Sequence, residues 1–417
     1  MLTENTINLG NLLLSISDAI DIVNRSLSSH QMRTAFIAWQ MTESAKMPKN
    51  TKERILIGAL LHDVGALTPE DKIRLHNFEE NSLDAHCSRG AELFELSPLL
   101  QPSAAMVRYH HKPWEKWMGA TIADPDVFDS QLLYLADLVE RLIKRNIFIL
   151  HQHEKIIQKI IARTGSEIHP DIVDLFVNVS KREEFWLDLL SPRLFSLLLH
   201  HGPCKKTELE IMEIFSIVPF VRSIIDFKSH FTATHSTGVA ECAYHVAKLF
   251  GLTDKTISRL KLAGYFHDIG KLAVPNAILD KPDKLTKTEF AIIKQHTYFT
   301  YSVLSTIGGL GDIPEWAAFH HEKLDGSGYP FHVDRTKINT GSRIMAVADV
   351  FTALAEDRPY RSGMQRSEIA KILANMAKDQ GLDKRIVELL LDNFEDIREN
   401  VREQQALVHA EYNKLVS

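Results

Sequence analysis

The chain has 417 residues, enough for two domains of about 200 residues each, and its 45% hydrophobic and 24% charged residues are typical of a globular protein. Its formal net charge of -6 offers no general attraction for long nucleic acid. The three cysteines have no CxxC spacing and no apolar run reaches the ~20 residues of a membrane span, so the sequence predicts no disulfide framework, thiolate cluster or membrane segment and indicates the reducing cytoplasm.

The first half of the chain contains a regular series of histidines and aspartates. Its members are His30, His62, Asp63, His86, His110, His111 and Asp137. His62 follows His30 by 32 residues, and His110 follows His86 by 24 residues. The intervening segments place apolar residues three and four positions apart, which predicts helices. Because histidine is the commonest metal ligand in proteins, the series indicates a metal site to which several helices contribute.

A turn-rich segment, His201-Gly-Pro-Cys-Lys-Lys206, interrupts the helical pattern near the middle of the chain. Glycine and proline are the strongest local signals for the end of a regular element. We therefore predict one domain over residues 1–203 and a second domain over residues 204–417.

The second half repeats the series of the first. Its members are His235, His267, Asp268, His296, His320, His321 and Asp349. The same intervals of 32 and 24 residues separate His235 from His267 and His296 from His320. Duplication of one domain explains the matching intervals better than chance does. The sequence thus predicts an all-α protein with two tandem helical domains of one type.

Two local patterns predict helices in the second half. Thr286-x-x-Glu289 has the form of a capping box and predicts a helix that carries His296 on its second or third turn. Residues 383 to about 415 form a nearly unbroken helical pattern. That helix is expected to pack on its own domain, with a dimer contact as the less favoured alternative.

The seven residues of the second series suit two neighbouring divalent ions. Ions about 3.5–4 Å apart need imidazoles from several helices and a carboxylate that bridges them, and Asp268 is the expected bridge. Such ions bind phosphoryl oxygens and turn a bridging water into hydroxide, which attacks a phosphodiester in line. A single histidine would more often be structural, but seven ligands in this order favour a metal site.

Two strings in the second half resemble the signatures of the HD-GYP family, a branch of the HD phosphohydrolases. They are His267-Asp-Ile-Gly-Lys271 and His320-His-Glu-Lys-Leu-Asp-Gly-Ser-Gly-Tyr-Pro330, and the resemblance extends from about Phe220 to Arg361. It implies an all-α fold and a phosphodiesterase that opens c-di-GMP or 3',3'-cGAMP to a linear dinucleotide or to mononucleotides. It also implies Fe or Mn as the two ions, although the ligands accommodate Zn, Ni or Co as well.

The resemblance assigns a role to each site residue. It makes His235, His267, Asp268 and Asp349 ligands of one ion and Asp268, His296, His320 and His321 ligands of the other. Asp268 and Lys271 are the catalytic residues, with Lys271 on the scissile phosphate rather than in solvent at a helix end. The substrate contacts are Lys271, Gly328, Tyr329, Arg358 and Arg361. For the two arginines, an ion pair with Glu356 or Asp357 is nearly as well supported as contact with phosphate.

Three positions depart from the family pattern. Phe231 replaces a Glu found in members with a third ion, so two ions are expected. Thr352 replaces a frequent Asp, and Gly238 replaces a frequent Arg. Both of these changes are predicted to bear on which base is accepted.

The first half keeps the metal-ligand types but not the residues expected to contact substrate. Ala66 occupies the position of Lys271, and no Gly-Tyr-Pro sequence follows His110 and His111. We therefore predict a degenerate HD domain with a structural or regulatory role, which could still hold metal. A second active site is the less favoured alternative.

Two other functions remain open on the sequence alone. A nucleotide phosphohydrolase of the wider HD class is disfavoured by the intact Gly-Ser-Gly-Tyr-Pro sequence. A non-catalytic module that binds a cyclic dinucleotide, or docks on a partner such as a cyclase domain, is disfavoured by the complete ligand series. A homodimer is a further alternative for the assembly of the protein.

Overall fold

The computed structural model describes residues 6–21, 29–66, 83–228, 234–281, 283–357 and 362–416. These residues form two compact units, one of residues 7–209 and one of residues 210–416 together with residue 6, whereas the predicted domain boundary follows residue 203. Both units are built from helices, and the strands in the described ranges are the short pair β1 (Thr6–Asn8) and β2 (Glu208–Glu210). The predicted all-α fold is confirmed. No helix among the described residues is long and apolar enough to cross a membrane.

The first unit is organised around a central helix, α2. Its helices are α1 (Leu9–Asp21), α2 (His30–Ser44), α3 (Lys49–Leu61), α4 (Leu83–Glu95), α5 (Ala104–Tyr109), α6 (Pro125–Arg141), α7 (His153–Ile161), α8 (Pro170–Ser180), α9 (Glu183–Leu189) and α10 (Leu194–His201). Phe36 of α2 stacks on Phe185 of α9 with ring centroids 5.9 Å apart, and both rings are buried. Burial of each such ring contributes about 1.5–3 kcal/mol, which holds α2 and therefore His30 in place.

The second unit is organised around α12 in the same way. Its helices are α11 (Val218–Lys228), α12 (His235–Leu249), α13 (Asp254–Phe266), α14 (Asn276–Leu279), α15 (Lys287–Ile307), α16 (Ile313–Ala318), α17 (Thr340–Ala355), α18 (Arg366–Lys378), α19 (Lys384–Asp392) and α20 (Phe394–Val416). Helix α12 packs against α13, α17 and α20. Its start at His235 is therefore fixed by contacts on several sides.

The sequence repeat is reproduced in the helices. Helices α2 and α12 each have 15 residues and begin with a histidine of the series, and α3 and α13 each have 13 residues and end just before the His-Asp pair. Gly65 and Gly270 follow these pairs. A Cβ at either glycine would overlap the backbone carbonyl oxygen of the next histidine of the series, His86 or His296. Glycine thus lets the helix with the third ligand approach the His-Asp turn.

The two local helix predictions have different outcomes. The capping box is confirmed: Thr286 and Glu289 exchange hydrogen bonds at the start of α15, and His296 lies on its third turn. The nearly unbroken C-terminal helix is wrong in one respect, because α19 and α20 are separated at Asn393. The backbone of Asn393 leaves the helical conformation, and its side chain donates a hydrogen bond to the carbonyl oxygen of Leu389 at 2.9 Å.

Candidate metal centre

His267 and Asp268 lie in the turn that follows α13. His267 Nδ1 donates a hydrogen bond to the carbonyl oxygen of Gly264 at 2.8 Å, which orients the ring with Nε2 toward the neighbouring carboxylates. This Nε2 atom is buried and has no hydrogen-bond partner among the described residues, but it lies 3.1 Å from Asp268 Oδ2 and 3.8 Å from Asp349 Oδ1. Since an unpartnered buried nitrogen is costly, the arrangement fits a cation between imidazole and carboxylates.

The same backbone contact orients two more imidazoles. The Nδ1 atoms of His296 and His320 each donate to the carbonyl oxygen three residues earlier, at 2.7 and 2.6 Å. Their Nε2 atoms lie 3.3 Å apart. Burial lowers the pKa of His296 to about 3, so its imidazole is neutral near pH 7. Neutral imidazoles with converging Nε2 atoms are the form in which histidine binds a divalent ion.

His235 begins α12 and lies between two carboxylates. Its Nε2 is 3.1 Å from Asp349 Oδ1, and its Nδ1 is 3.2 Å from Glu356 Oε2. Burial lowers the pKa of His235, but Glu356 and Asp349 outweigh this effect and raise the pKa to about 10. A carboxylate on Nδ1 fixes the ring and makes Nε2 more basic, as is common behind metal-bound histidines. Glu356 therefore orients a predicted ligand.

All seven predicted metal ligands lie together. They include two triads in which the ligand atoms lie within 4.8 Å of one another: His235, His267 and Asp268, and His296, His320 and His321. Asp268 connects the triads, because its Oδ2 faces His267 Nε2 at 3.1 Å and its Oδ1 faces His296 Nε2 at 3.6 Å. Asp349 Oδ2 lies 4.0 Å from His321 Nδ1. This donor set fits two divalent ions with Asp268 between them.

Lys271 lies in the 3₁₀ turn Ile269–Ala273 that follows the His-Asp pair. Its ammonium nitrogen is 2.6 Å from Asp268 Oδ2, and its side chain is 19% exposed. Burial raises the pKa of Asp268, but His267 and Lys271 outweigh this effect and hold the pKa well below its usual value. Lys271 thus contacts the buried carboxylate of Asp268 and is also partly exposed to solvent, where an anionic substrate could reach its ammonium group. Its role on a phosphate stays a prediction.

The Gly-Tyr-Pro loop lies beside the second triad. The ring centroid of Tyr329 is 5.0 Å from that of His321 and 6.0 Å from that of Phe290. Phe290 is 43% exposed, so the aromatic pair borders solvent. Gly328 is required by the path of the loop itself, because a Cβ there would overlap the backbone of Glu322. A close approach of Gly328 to a nucleotide stays a prediction.

Some predicted residues fall outside the part of the chain that the structure describes. Arg358 and Arg361, predicted to contact substrate, are among them, and so is Phe231. The predicted arginine contacts and the effect of Phe231 on the number of ions therefore stay predictions.

The other two departures from the family pattern lie next to each other. A Cβ at Gly238 would be 2.6 Å from Thr352 Cγ2 and 2.7 Å from Gln405 Nε2. Gln405 belongs to α20 and donates a hydrogen bond to the carbonyl oxygen of Thr234 at 3.2 Å. The two substitutions thus have a role in the packing of α12 against α17 and α20. Their influence on the choice of base stays a prediction.

Two carboxylates near the site were missed by the sequence analysis. Glu356 was considered only as an ion-pair partner, and Asp226 was not considered. Asp226 is buried, its Oδ1 has no hydrogen-bond partner in the described ranges, and burial raises its pKa well above the usual value. Asp226 precedes His235 by 9 residues, as Asp21 precedes His30. The repeat spacing could therefore have identified Asp226.

The first unit assembles its own series in the same way. The Nδ1 atoms of His62 and His110 each donate to the carbonyl oxygen three residues earlier, at 2.9 and 2.6 Å. His62 Nε2 is buried and has no hydrogen-bond partner within the described part of the chain. Asp63 Oδ1 lies 3.6 Å from His86 Nε2 and 3.7 Å from His110 Nε2. The first unit therefore keeps the ligand geometry as well as the ligand types.

Cys87 adds a thiol to this cluster. Its Sγ lies 3.5 Å from His86 Nε2 and 3.6 Å from His110 Nδ1. Burial raises the pKa of Cys87, but His110 and His86 outweigh this effect and lower the pKa to about 6. The matching residue of the second unit, Thr297, instead donates a hydrogen bond to the carbonyl oxygen of Lys294 at 2.9 Å. Cys87 has no CxxC partner, so its spacing gave no signal of a metal-binding thiol in the sequence.

Known proteins share both halves of the chain. One HD domain model matches residues 27–142, and a second HD domain model matches residues 219–386. The chain is 32% identical to the 3'3'-cGAMP-specific phosphodiesterase 1 of Vibrio cholerae over 94% of this chain and 93% of that protein. It is 31% identical to the 3'3'-cGAMP-specific phosphodiesterase 3 of the same organism over 73% of this chain and 65% of that protein.

The fold is also shared with a solved structure. The crystal structure of a cyclic GMP-AMP-specific phosphodiesterase of Vibrio cholerae superposes with a TM-score of 0.64 over 94% of this chain and 98% of that chain, at 23% identity. The first relative spans both helical units at 32% identity, and the second unit carries the two signature strings. The chain therefore belongs to the HD-GYP family of HD-domain cyclic dinucleotide phosphodiesterases.

Proposed function

We propose that the second domain hydrolyses a phosphodiester bond of a cyclic dinucleotide and prefers 3',3'-cGAMP. The observation that carries the proposal is the convergence of two ligand triads on the shared carboxylate of Asp268. The preference for 3',3'-cGAMP is supported by the name of a relative that matches 94% of this chain. Hydrolysis of c-di-GMP is the alternative within the same family.

The donor set determines which cofactor suits the site. Two divalent ions, held by the two triads and Asp349, would supply charge to the phosphoryl oxygens and activate water for attack on phosphorus. Fe or Mn are the expected ions because the family resemblance implies them, and the imidazole and carboxylate donors also accommodate Zn, Ni or Co. The backbone carbonyls on Nδ1 of His267, His296 and His320 keep their Nε2 atoms directed into the site.

The chain's own cations and rings would bind the substrate. The ammonium nitrogen of Lys271 lies 2.6 Å from Asp268 Oδ2, and Lys271 is expected to move onto a phosphate oxygen. Tyr329 and Phe290 offer ring faces for stacking of a base. The ammonium of Lys294 lies 5.4 Å and 5.0 Å from the centroids of these rings, where it adds positive charge beside the stacking surface. Arg358 and Arg361 are expected to contact the second phosphate.

The cell compartment and partners are part of the proposal. The three cysteines are free, which suits the reducing cytoplasm. A homodimer or a cyclase-domain partner stays a prediction from the sequence.

The test is product analysis after the whole chain, purified without oxygen and loaded with Mn or Fe, is incubated with each cyclic dinucleotide. The double variant His267→Ala, Asp268→Ala should be inert, because it removes the carboxylate common to both triads. The matched control His62→Ala, Asp63→Ala changes the same pair in the first domain and should retain hydrolysis. Equal turnover, or equal inertness, of wild type and His267→Ala, Asp268→Ala would contradict the enzymatic proposal. Faster turnover of c-di-GMP would contradict the substrate preference.

A further inference from the structure

We propose that the first domain holds one divalent metal ion of its own in a site with a cysteine ligand. The ligands are His86, Cys87, His110 and His111. One ligand atom from each of these residues lies within 4.8 Å of the others. They come from α4 and from the turn that follows α5, so an ion would connect these two elements. This site lies outside the catalytic centre, and the inference goes beyond the proposed function.

The distances between donor atoms match a tetrahedral ion. Zinc-type ions bind imidazole nitrogen at about 2.0–2.1 Å and thiolate sulfur at about 2.3 Å. A tetrahedral angle then places two nitrogens about 3.3 Å apart, and a nitrogen and a sulfur about 3.6 Å apart. His86 Nε2 lies 3.3 Å from His110 Nε2 and 3.5 Å from Cys87 Sγ. These two distances match two edges of the tetrahedron around a bound ion, and the remaining ligand atoms lie within 4.8 Å of one another.

The described residues leave one buried nitrogen beside the cluster, His62 Nε2, without a hydrogen-bond partner. His110 Nδ1 donates to the carbonyl oxygen of Val107 at 2.6 Å, which directs Nε2 toward His86 Nε2, 3.3 Å away. An ion held by the proposed ligands would bind the Nε2 atoms of both His86 and His110, and His62 is not among its ligands. The rival explanation is a thiolate and imidazolium pair of Cys87 and His110, which needs no metal.

The other half of the first series already contains a protein cation. Asp137 and Arg141 form an ion pair, with Arg141 Nη1 3.1 Å from Asp137 Oδ2. The residue four positions after Asp349, the matching aspartate of the second domain, is Ala353. Arg141 is only 7% exposed and is expected to stay on this carboxylate, whereas the partly exposed Lys271 can leave Asp268 for a substrate. We therefore infer one ion in the first domain rather than two.

The thiol also determines which ions are preferred. Thiolate with imidazole favours ions such as Zn or Co, whereas the nitrogen and oxygen donors of the second domain suit Fe or Mn. Four protein ligands close the coordination sphere, as in structural rather than catalytic zinc sites. The position of Lys271 is taken by Ala66, so no cation is available there for a substrate. The ion is therefore structural and fastens α4 to the turn after α5.

The test is an optical titration of the metal-free whole chain with Co(II). We expect a sulfur-to-cobalt charge-transfer band, which arises when a thiolate binds cobalt. The band should be absent in Cys87→Ser and retained in Cys204→Ser and Cys242→Ser, which change buried cysteines outside the cluster. It should also be retained in the variant His267→Ala, Asp268→Ala. Failure of this proposal is thus distinguishable from failure of the catalytic one.

Two results would overturn the proposal. One is a wild-type chain without the charge-transfer band, which is the result expected if Cys87 and His110 form a thiolate and imidazolium pair without metal. The other is a Cys87→Ser chain that keeps the band. A second measurement applies if Cys87→Ser does not fold. X-ray absorption of the zinc-loaded variant His267→Ala, Asp268→Ala, in which Cys87 is intact, should detect a sulfur neighbour at about 2.3 Å from zinc. Nitrogen and oxygen neighbours alone would also overturn the proposal.

Discussion

The two domains surround matching histidines with different charges. In each, the histidine that begins the central helix is oriented through Nδ1 by a glutamate: His30 by Glu140 at 2.5 Å, and His235 by Glu356 at 3.2 Å. In the first domain Glu140 also accepts a hydrogen bond from Arg33 at 2.8 Å. The position that matches Arg33, three residues after the histidine, is Gly238 in the second domain. The first domain thus compensates its carboxylates with buried arginines.

The second domain places its cation where a substrate can reach it. Lys271 contacts Asp268 and remains partly exposed, whereas the matching Ala66 is buried. Arg141 of the first domain instead contacts Asp137 with a side chain that is 7% exposed. The comparison predicts that retained ligand geometry alone does not give catalysis. The site must also direct positive charge toward solvent, where a phosphate can displace the contact with the carboxylate.

The largest expected effect of a single change concerns Lys271. Lys271→Ala should lower kcat by roughly 10²–10³-fold, because it removes a charge that stabilises the transition state, while the bound metal content stays the same. Steady-state kinetics and metal analysis of the same sample would measure both. The reverse change, Ala66→Lys in the inactive His267→Ala, Asp268→Ala chain, should create no hydrolysis, because Arg141 still occupies Asp137 and no Gly-Tyr-Pro sequence follows His111. A loss below tenfold for Lys271→Ala, or activity in the Ala66→Lys chain, would break the comparison.

A smaller effect is expected for the glutamates behind the first histidines. Glu356→Gln should weaken metal binding or hydrolysis about 10–100-fold, because it removes the carboxylate that orients His235. The matched change Glu140→Gln should leave hydrolysis intact and lower the melting temperature, since it disrupts the buried contacts with His30 and Arg33. Metal titration and thermal unfolding separate the two outcomes. Equal effects on hydrolysis would contradict the division of roles.

The sequence could identify the ligand series because local rules fix the ligands. The carbonyl contacts of His267, His296 and His320 all join a ring to the residue three positions earlier. A spacing of three residues is set within one helical turn, so the contact depends on local sequence and recurs wherever the histidine series recurs. The capping box at Thr286 is local in the same sense, which explains why the start of α15 was predicted.

Contacts between residues that are far apart in the sequence could not be predicted. Glu140 follows Asp137 by 3 residues, whereas Glu356 follows Asp349 by 7, so no common spacing indicates their shared role. The contact between Gly238 and Thr352 joins positions that are 114 residues apart in the sequence. Propensity and periodicity do not describe such pairs, which depend on how helices pack.

The aromatic rings beside the two sites offer a further contrast. Tyr329→Ala should raise KM by roughly 5–150-fold, which corresponds to the loss of about 1–3 kcal/mol for one stacked base, with a smaller effect on kcat. In the first domain Trp117 lies 5.3 Å from Tyr109 and under the ammonium of Lys112 at 4.1 Å. The control Trp117→Ala should not change KM. If Tyr329→Ala lowered kcat without changing KM, the role of the Tyr329 ring would be to hold His321 in place and not to stack on a base.

The smallest expected effect concerns Gly238 and separates packing from the choice of base. Gly238→Ala should lower the free energy of unfolding by about 1 kcal/mol, because the added methyl group would crowd Thr352 and Gln405 by more than its helix preference offsets. Adding Thr352→Ser removes the crowded Cγ2 and should restore most of the loss, as measured by urea unfolding. The ratio of kcat/KM for the two cyclic dinucleotides should not change. If that ratio changes while the unfolding free energy does not, Gly238 and Thr352 select the base, and their contact is incidental to the packing of α12.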